Sequence, residues 1–384
     1  VMHYVDPVEG FSGWLVYDDT LSRLAAGGCR VRPGLTQDKL AALAARMTLK
    51  QRVLGIGVDG AKCGIDYDPR LPGKAAALQR FLAFLKDQLM SRFSMGCDMG
   101  TQFSELDRLA RTQGIPSIKY AIKLAQGFTD AEFFARARLL DIPVGMLTFG
   151  QRRAGHALAH IALAAARAAG ITKSVTCGLQ GFGTLGRAGA NSLAEERVRV
   201  TAVADEHGCV TDLAGLDIPG MLAAPNGTAV PETIRQAVPL PPAAVFEAPC
   251  EVMILAASED AMSEEQAATV PARVVVVGAN CGLRPAVADV LHRRGILVIP
   301  DFIGGIGGSA SMEAVFGPET RPTARGALDM LARMMWSMVE HLVEEAKTAG
   351  VAVEQAACAL ACAPSVRKER PYGCSPYLHA GASV

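Results

Sequence analysis

The apolar run from Ser174 to Gln180 is followed at once by GFGTLG and then by a helix-forming stretch, RAGANSLAEE. Glycines at 181, 183 and 186 let a backbone turn sharply, approach a ligand closely and pack a helix tightly against the preceding strand. This pattern predicts a strand, a turn and a helix whose first N–H groups face an anion such as a pyrophosphate. The expected cradle is Gly181, Phe182, Gly183, Thr184, Leu185 and Gly186. Asp205 closes the next predicted strand, nineteen residues after Gly186. A carboxylate there accepts both ribose hydroxyls of NAD and repels the extra phosphate of NADP, so NAD is the expected cofactor. Arg199 and His207, close in sequence, would soften that preference.

The surrounding pattern fits such a turn. A long helix begins near Ala154, and strands are predicted at Val198 to Ala204, Val252 to Ala256, Val274 to Gly278 and Ile296 to Pro300, with helical stretches between them. That alternation implies a parallel sheet covered on both faces, a doubly wound α/β domain. The first third mixes a strand at Ser12 to Tyr17, a helix from Thr36 to Val53 with Thr36 as its cap, and helices at Lys74 to Phe93 and Ser104 to Arg111. Thr129 and Glu132 have the spacing of a capping box. After Pro318 the chain is again helical through Gly350, with Met330, Met334, Met335 and Met338 as packing residues. The tail after Pro364, with its basic VRKERPYG, reads as a solvated or subunit-contacting end.

A chain of 384 residues suggests two or three domains. Lys+Arg and Asp+Glu both number 38, so no bulk field attracts a nucleic acid. No apolar stretch reaches the length of roughly 18 to 20 residues that spans a bilayer. The opening VMHYVDPVEG lacks the basic and apolar regions of a secretory signal, and a cytoplasmic setting is the expectation. The ten cysteines form no paired CxxC sets and are expected as reduced thiols, Cys358 and Cys362 included. His156 and His160 lie four apart on a helix, but no third ligand is evident, so no metal is expected.

A dinucleotide site implies hydride transfer. Two lysines of the first third stand in unusual company, Lys50 in MTLKQRV and Lys62 in DGAKCG. A lysine between glycines sits where backbone can approach a ligand closely, and burial beside another cation would let it act as a general base near neutral pH.

Taken in order, AAGGCRV, MTLK, DGAKCGIDYDP, CDMGTQFSELD, LQGFGTLG, ILAASEDAMSEEQA, VVGANCG and PDFIGGIGG resemble the glutamate, leucine, phenylalanine and valine dehydrogenase family over roughly Val5 to Phe316. The compact start looks most like the leucine and phenylalanine branch. The resemblance implies residues 1–148 as an α/β substrate-binding and oligomerisation domain, with helices of 331–384 returning to it. Residues 149–330 would form a Rossmann-type NAD-binding domain, with the active site in the cleft between the two. It further implies Lys50 as partner of the substrate α-carboxylate, Lys62 as the base that activates water, Asp98 as proton carrier at the amino nitrogen, and Asn280 beside nicotinamide and substrate. Gly28 and Ala26 would line the substrate. Ala26 and Met312 stand where glutamate-specific members place a lysine and a serine, so an apolar side chain, branched-chain or aromatic, is expected. The implied activity is NAD-dependent oxidative deamination to a 2-oxo acid and ammonia by a homo-oligomer, dimer or larger, with no nucleic acid or membrane partner.

Two departures from the family pattern are evident: Gly305 replaces an asparagine, and Ala154 stands where a hydroxyl is usual. They leave open a member repurposed for a specialised amino or imino acid, and a non-catalytic NAD-binding paralogue. Cys63, Cys97 and Cys281 neighbour the implied site, which suggests sensitivity to thiol reagents, although inert burial is the alternative.

Overall fold

A computed structural model describes residues 1–235, 238–364 and 367–378. The chain divides into two units. The first comprises Val1–Arg138, Val315–Arg321 and residues 360–364 and 367–376. The second comprises Leu139–Ala314, Pro322–Ala359 and residues 377–378.

The first unit is built on a five-stranded mixed sheet. Its strands are β1 (Met2–Val5), β2 (Ser12–Tyr17), β3 (Leu24–Val31), β4 (Val58–Ile65) and β5 (Phe93–Cys97), in the spatial order β1-β2-β4-β3-β5. β3 runs parallel to both β4 and β5. The glycine-punctuated DGAKCGI is thus a fully buried central strand. Glycine permits this because neighbours press directly on its backbone: a Cβ at Gly60 would lie 2.3 Å from Thr48 N, on helix α1 (Gln37–Val53). Thr36 caps α1 through Lys39 N–H, as its sequence predicts.

The helix expected over Lys74 to Phe93 is instead two helices, α2 (Lys74–Phe84) and α3 (Lys86–Ser91), separated at Leu85. Phe93 leaves the helix because it opens β5, opposite Ala25, with its ring buried in the sheet core. α4 (Phe103–Thr112) follows β5, and the Thr129–Glu132 capping box starts α5 (Asp130–Ala137).

In the second unit, α6 (Phe149–Ala168) and α7 (Thr184–Glu195) accompany six strands: β6 (Thr176–Gln180), β7 (Arg199–Ala204), β8 (Cys209–Thr211), β9 (Val252–Leu255), β10 (Val274–Val277) and β11 (Leu297–Ile299). Their order is β8-β7-β6-β9-β10-β11, all parallel except the edge strand β8. The β-branched runs VMIL and VVVV are wholly buried, as a sheet covered on both faces requires.

The helices after Pro318 correct the expected organisation. α8 (Ala324–Ala349) does not return to the first unit; it packs along α6 in the second. Its buried stripe of Leu328, Leu331, Met335, Met338 and Leu342 finds in α6 a face of small alanines that admits a close helix pair. Among the described residues, 315–321, 360–364 and 367–376 do return to the first unit. In the basic tail, Arg367 to Arg370 are exposed, whereas Ser365, Val366 and residues 379–384 lie outside the described residues.

His156 and His160 bind protein groups within the helix layer. The Nε2–H of His156 donates to Leu328 O at 3.1 Å, which leaves Nδ1 to accept from Ser192 Oγ at 3.0 Å. Trp336 Nε1 donates to His160 Nδ1 at 3.2 Å. Burial, with Arg152 nearby, lowers the pKa of both rings, to about 3 for His156 and about 4 for His160. A folded-state value below the unfolded value of about 6.5 gives stability that is present above about 6.5 and lost as pH falls toward 4. The melting temperature is therefore expected to fall between pH 6.5 and 4, and the double variant His156→Gln/His160→Gln to show a flatter dependence. Equal pH slopes in both proteins would refute that assignment.

Candidate active site

Lys62, Asp98 and Gly28 come together in the first unit. Gly28 pairs in register with Gly96 on β5, and Lys62 lies next to it on β4, so all three project from one face of the sheet. Lys62 Nζ is 2.5 Å from Asp98 Oδ2, and both side chains are about nine-tenths buried or more. A Cβ at Gly28 would stand 3.0 Å from Asp98 Cβ and 3.3 Å from Lys62 Nζ, so glycine leaves a bare floor beside the pair. Ala26 lies one step back on this face, opposite Gly60 and Ser94. Lys50 is buried near the C-terminal end of α1.

Arg30, which sequence reasoning missed, completes the ion cluster: its Nε and Nη2 donate to Asp98 Oδ2 and Oδ1 at 3.2 and 3.4 Å. It follows Gly28 by two residues on the same strand, and that alternation was its only sequence signal. Asp98 is held further by Met99 N–H, which donates to Oδ1 at 2.7 Å, and by its own N–H to Thr101 Oγ1 at 3.0 Å. Burial alone would raise the pKa of this carboxyl. The cations of Lys62 and Arg30 outweigh burial and bring it down to about 2, so Asp98 is an anion at neutral pH.

Of the flanking thiols, Cys63 is buried, and burial together with neighbouring Cys29 pushes its pKa well above the ordinary value. Cys97 and Cys281 are exposed.

In the second unit each glycine of GFGTLG has a separate task. Gly181 has φ +102°, and a Cβ there would meet Ala257 N at 2.6 Å. Nothing lies within 4 Å of a Cβ placed on Gly183, which leaves room for a ligand to approach the backbone. A Cβ on Gly186 would fall 1.9 Å from Gly181 O, so only glycine lets α7 pack under the turn. Gly183 caps α7 without a side-chain bond, so the first amides are available to an anion. These features fit the pyrophosphate of a dinucleotide.

Asp205 terminates β7, and its Oδ1 accepts His207 and Gly208 N–H at 2.9 and 3.0 Å. Oδ2 accepts Val230 N–H at 2.6 Å, so the carboxylate also ties down its own loop. Arg199 is turned away, donating to Leu213 O at 3.4 Å. Asn280 precedes Cys281, whose φ of 54° makes a left-handed turn. Cys281 N–H donates to Asp301 Oδ2 at 2.8 Å, a brace for this turn that sequence reasoning also missed. Met312 is buried on helix Gly307–Phe316. Gly305 ends helix Asp301–Gly304 without the side-chain amide of the family pattern. Against Gly307, where a Cβ would lie 2.5 Å from Ala157 Cβ and 2.9 Å from Ala154 O, the chain packs directly on α6.

A cavity of about 690 Å³ on this unit lies at the other end of the strands from the glycine turn and contains none of the expected site residues. Among the described residues no group of three acidic, histidine or cysteine side chains is placed to hold a metal, and no helix is long and apolar enough to cross a membrane.

A glycine turn on a parallel sheet, together with a buried lysine–aspartate pair on a glycine floor, defines the class: a nicotinamide-cofactor oxidoreductase of the amino acid dehydrogenase type. More particularly, this chain belongs to the Glutamate/Leucine/Phenylalanine/Valine dehydrogenase family, whose model matches residues 150–373. The model of the family's dimerisation domain matches residues 3–113.

Similar proteins include a glutamate dehydrogenase of Aeropyrum pernix, 24% identical over 309 residues that cover 78% of this chain and 70% of the relative. The NADP-specific glutamate dehydrogenase of Saccharolobus shibatae is 28% identical over 311 residues, with 78% and 70% covered. An NAD-specific glutamate dehydrogenase of Staphylococcus aureus is 24% identical over 320 residues, with 78% and 71% covered. Among solved structures, the hetero-hexameric glutamate dehydrogenase of Thermus thermophilus in its leucine-bound form superposes with a TM-score of 0.74 at 26% identity, covering 91% of this chain and 82% of that one. These relatives are glutamate dehydrogenases and do not single out the leucine and phenylalanine branch.

Proposed function

We propose that this chain catalyses reversible NAD-dependent oxidative deamination of an L-amino acid with an apolar side chain. The observation that carries the reading is the 2.5 Å pair of Lys62 and Asp98 on the bare floor at Gly28. The glycine turn at Gly181, Gly183 and Gly186 would hold a nicotinamide cofactor, which when bound would supply the hydride acceptor, and oxidation of the substrate amine at Cα leaves a cationic iminium. Lys62, an ammonium in its pair with Asp98, first releases that proton to solvent, and its free amine then accepts a proton from the attacking water, which adds to the iminium carbon. Asp98, in contact with Lys62, carries a proton to the amino nitrogen, and ammonia leaves as the carbonyl forms. Lys50 pairs with the α-carboxylate and Asn280 orients the substrate near the nicotinamide.

The apolar preference is supported by chemistry: neither the Ala26 methyl nor the Met312 thioether can pair with a distal carboxylate. The position of Asp205 directly after β7 and the diverted Arg199 support NAD over NADP. The match of residues 3–113 to a dimerisation domain supports self-association.

The departures at Gly305 and Ala154 favour a second reading, the same chemistry on a specialised amino acid. Ammonia-dependent NADH oxidation across branched-chain, aromatic and dicarboxylic 2-oxo acids tests both. Turnover of an apolar acid with NADH preferred over NADPH is the expected result. Turnover of 2-oxoglutarate alone would reject the apolar assignment, and no turnover with any acid would reject the activity.

A further inference from the structure

A third buried lysine stands at the same floor. The free edge of β5 is covered by the segment through Ile118, whose carbonyl accepts Met95 N–H at 2.9 Å. That segment is fixed by the buried Asp107 of α4, whose Oδ1 accepts from Ser117 Oγ at 2.7 Å and from Ile118 N–H at 3.0 Å. Lys119 follows, its own N–H donating to Ser117 Oγ at 3.2 Å, and it is only 5% exposed. Its ammonium lies 3.9 Å from the point a Gly96 Cβ would occupy, a point also 3.7 Å from Gly27 O and 3.9 Å from Gly28 Cα. Lys62 Nζ lies 3.3 Å from the corresponding point on Gly28. Two ammonium groups thus flank one glycine floor, Lys62 from β4 and Lys119 from beyond β5.

We propose that Lys119 is a specificity-determining residue whose ammonium meets an acceptor oxygen on the substrate side chain. The inference rests on the amino acid dehydrogenase reading above and narrows its substrate to one with an apolar body that carries a hydroxyl, carbonyl or carboxylate oxygen. The sheet order supports the assignment. α1, which carries Lys50, packs on β4, whereas Lys119 lies past β5 on the far side of β3. A carboxylate held by Lys50 therefore leaves the other end of the substrate for Lys119. An ammonium carries three donors, so a substrate oxygen that reaches it gains a charge-assisted bond that a hydrocarbon side chain cannot make.

The test compares reductive amination of paired 2-oxo acids differing only in the acceptor, phenylpyruvate against 4-hydroxyphenylpyruvate and 2-oxohexanoate against 2-oxoadipate. In at least one pair the acceptor-bearing acid is expected to have the higher kcat/KM. Lys119→Met is expected to reduce that preference by about 100-fold, with partial retention in Lys119→Arg. An equal loss for both members, or an unchanged preference in Lys119→Met, would overturn the proposal. Calorimetric titration of the same acids into the NADH-loaded protein separates the two readings. Acceptor-dependent binding lost in Lys119→Met without any turnover would retain Lys119 and reject only the activity. Equal affinity of the wild-type protein for both members would reject Lys119's role.

Discussion

Lys62→Ala is expected to lower kcat for reductive amination by about a thousandfold or more while leaving NADH affinity within about twofold. The residue lies in the first unit and the glycine turn in the second, so removing its ammonium leaves the dinucleotide cradle unchanged. Single-turnover kinetics and NADH fluorescence titration read the two effects separately; retained turnover would remove Lys62 from catalysis. The variant also leaves Asp98 with Arg30 as its remaining cation among those paired with it, and breaking a buried pair typically costs about 3 kcal/mol. With its pKa near 2 in the folded protein against about 3.9 unfolded, Asp98 contributes stability above about pH 4 that disappears as pH falls toward 2. Losing Lys62 raises the folded pKa and shrinks that contribution. Lys62→Met, which preserves the packed stem, separates loss of charge from loss of volume.

Gly186→Ala is expected to weaken dinucleotide binding by about 100-fold and to lower the melting temperature by several degrees. One methyl group would sit 1.9 Å from the Gly181 carbonyl oxygen, far inside contact distance and against backbone that has no rotamer to change. The turn must open or α7 must shift, and either moves the amides off the pyrophosphate. Gly183→Ala is the contrasting control: its Cβ meets no protein atom within 4 Å, so its effect should appear in ligand affinity with little change in melting. Equal affinity of Gly186→Ala and wild type for NADH would show that the turn is not the cofactor cradle.

The second unit was legible because its signals are local. Strand, glycine turn, helix and following acidic residue occupy one continuous stretch, and the buried strands announce themselves as β-branched runs. The β4 strand was harder to read because glycines replace the β-branched residues that usually mark one, and they are there so that α1 and β3 can approach its backbone. The assignment of α8 was mistaken because an apolar stripe shows that a helix is buried without showing what covers it; the alanine face of α6 answers that only in three dimensions.

The sequence by itself determined the parallel nucleotide-binding architecture, the cap and turn chemistry, and the residue types Lys62 and Asp98, since each depends on neighbours a few positions away. Only the tertiary structure decided that Arg30 joins the Lys62–Asp98 pair and that Lys119 reaches the same glycine floor from beyond β5. The physical reason is strand register. Gly28, Lys62 and Gly96 are brought level by backbone hydrogen bonds across three parallel strands, and the order of those strands is set by core burial over the whole unit, which no local spacing encodes.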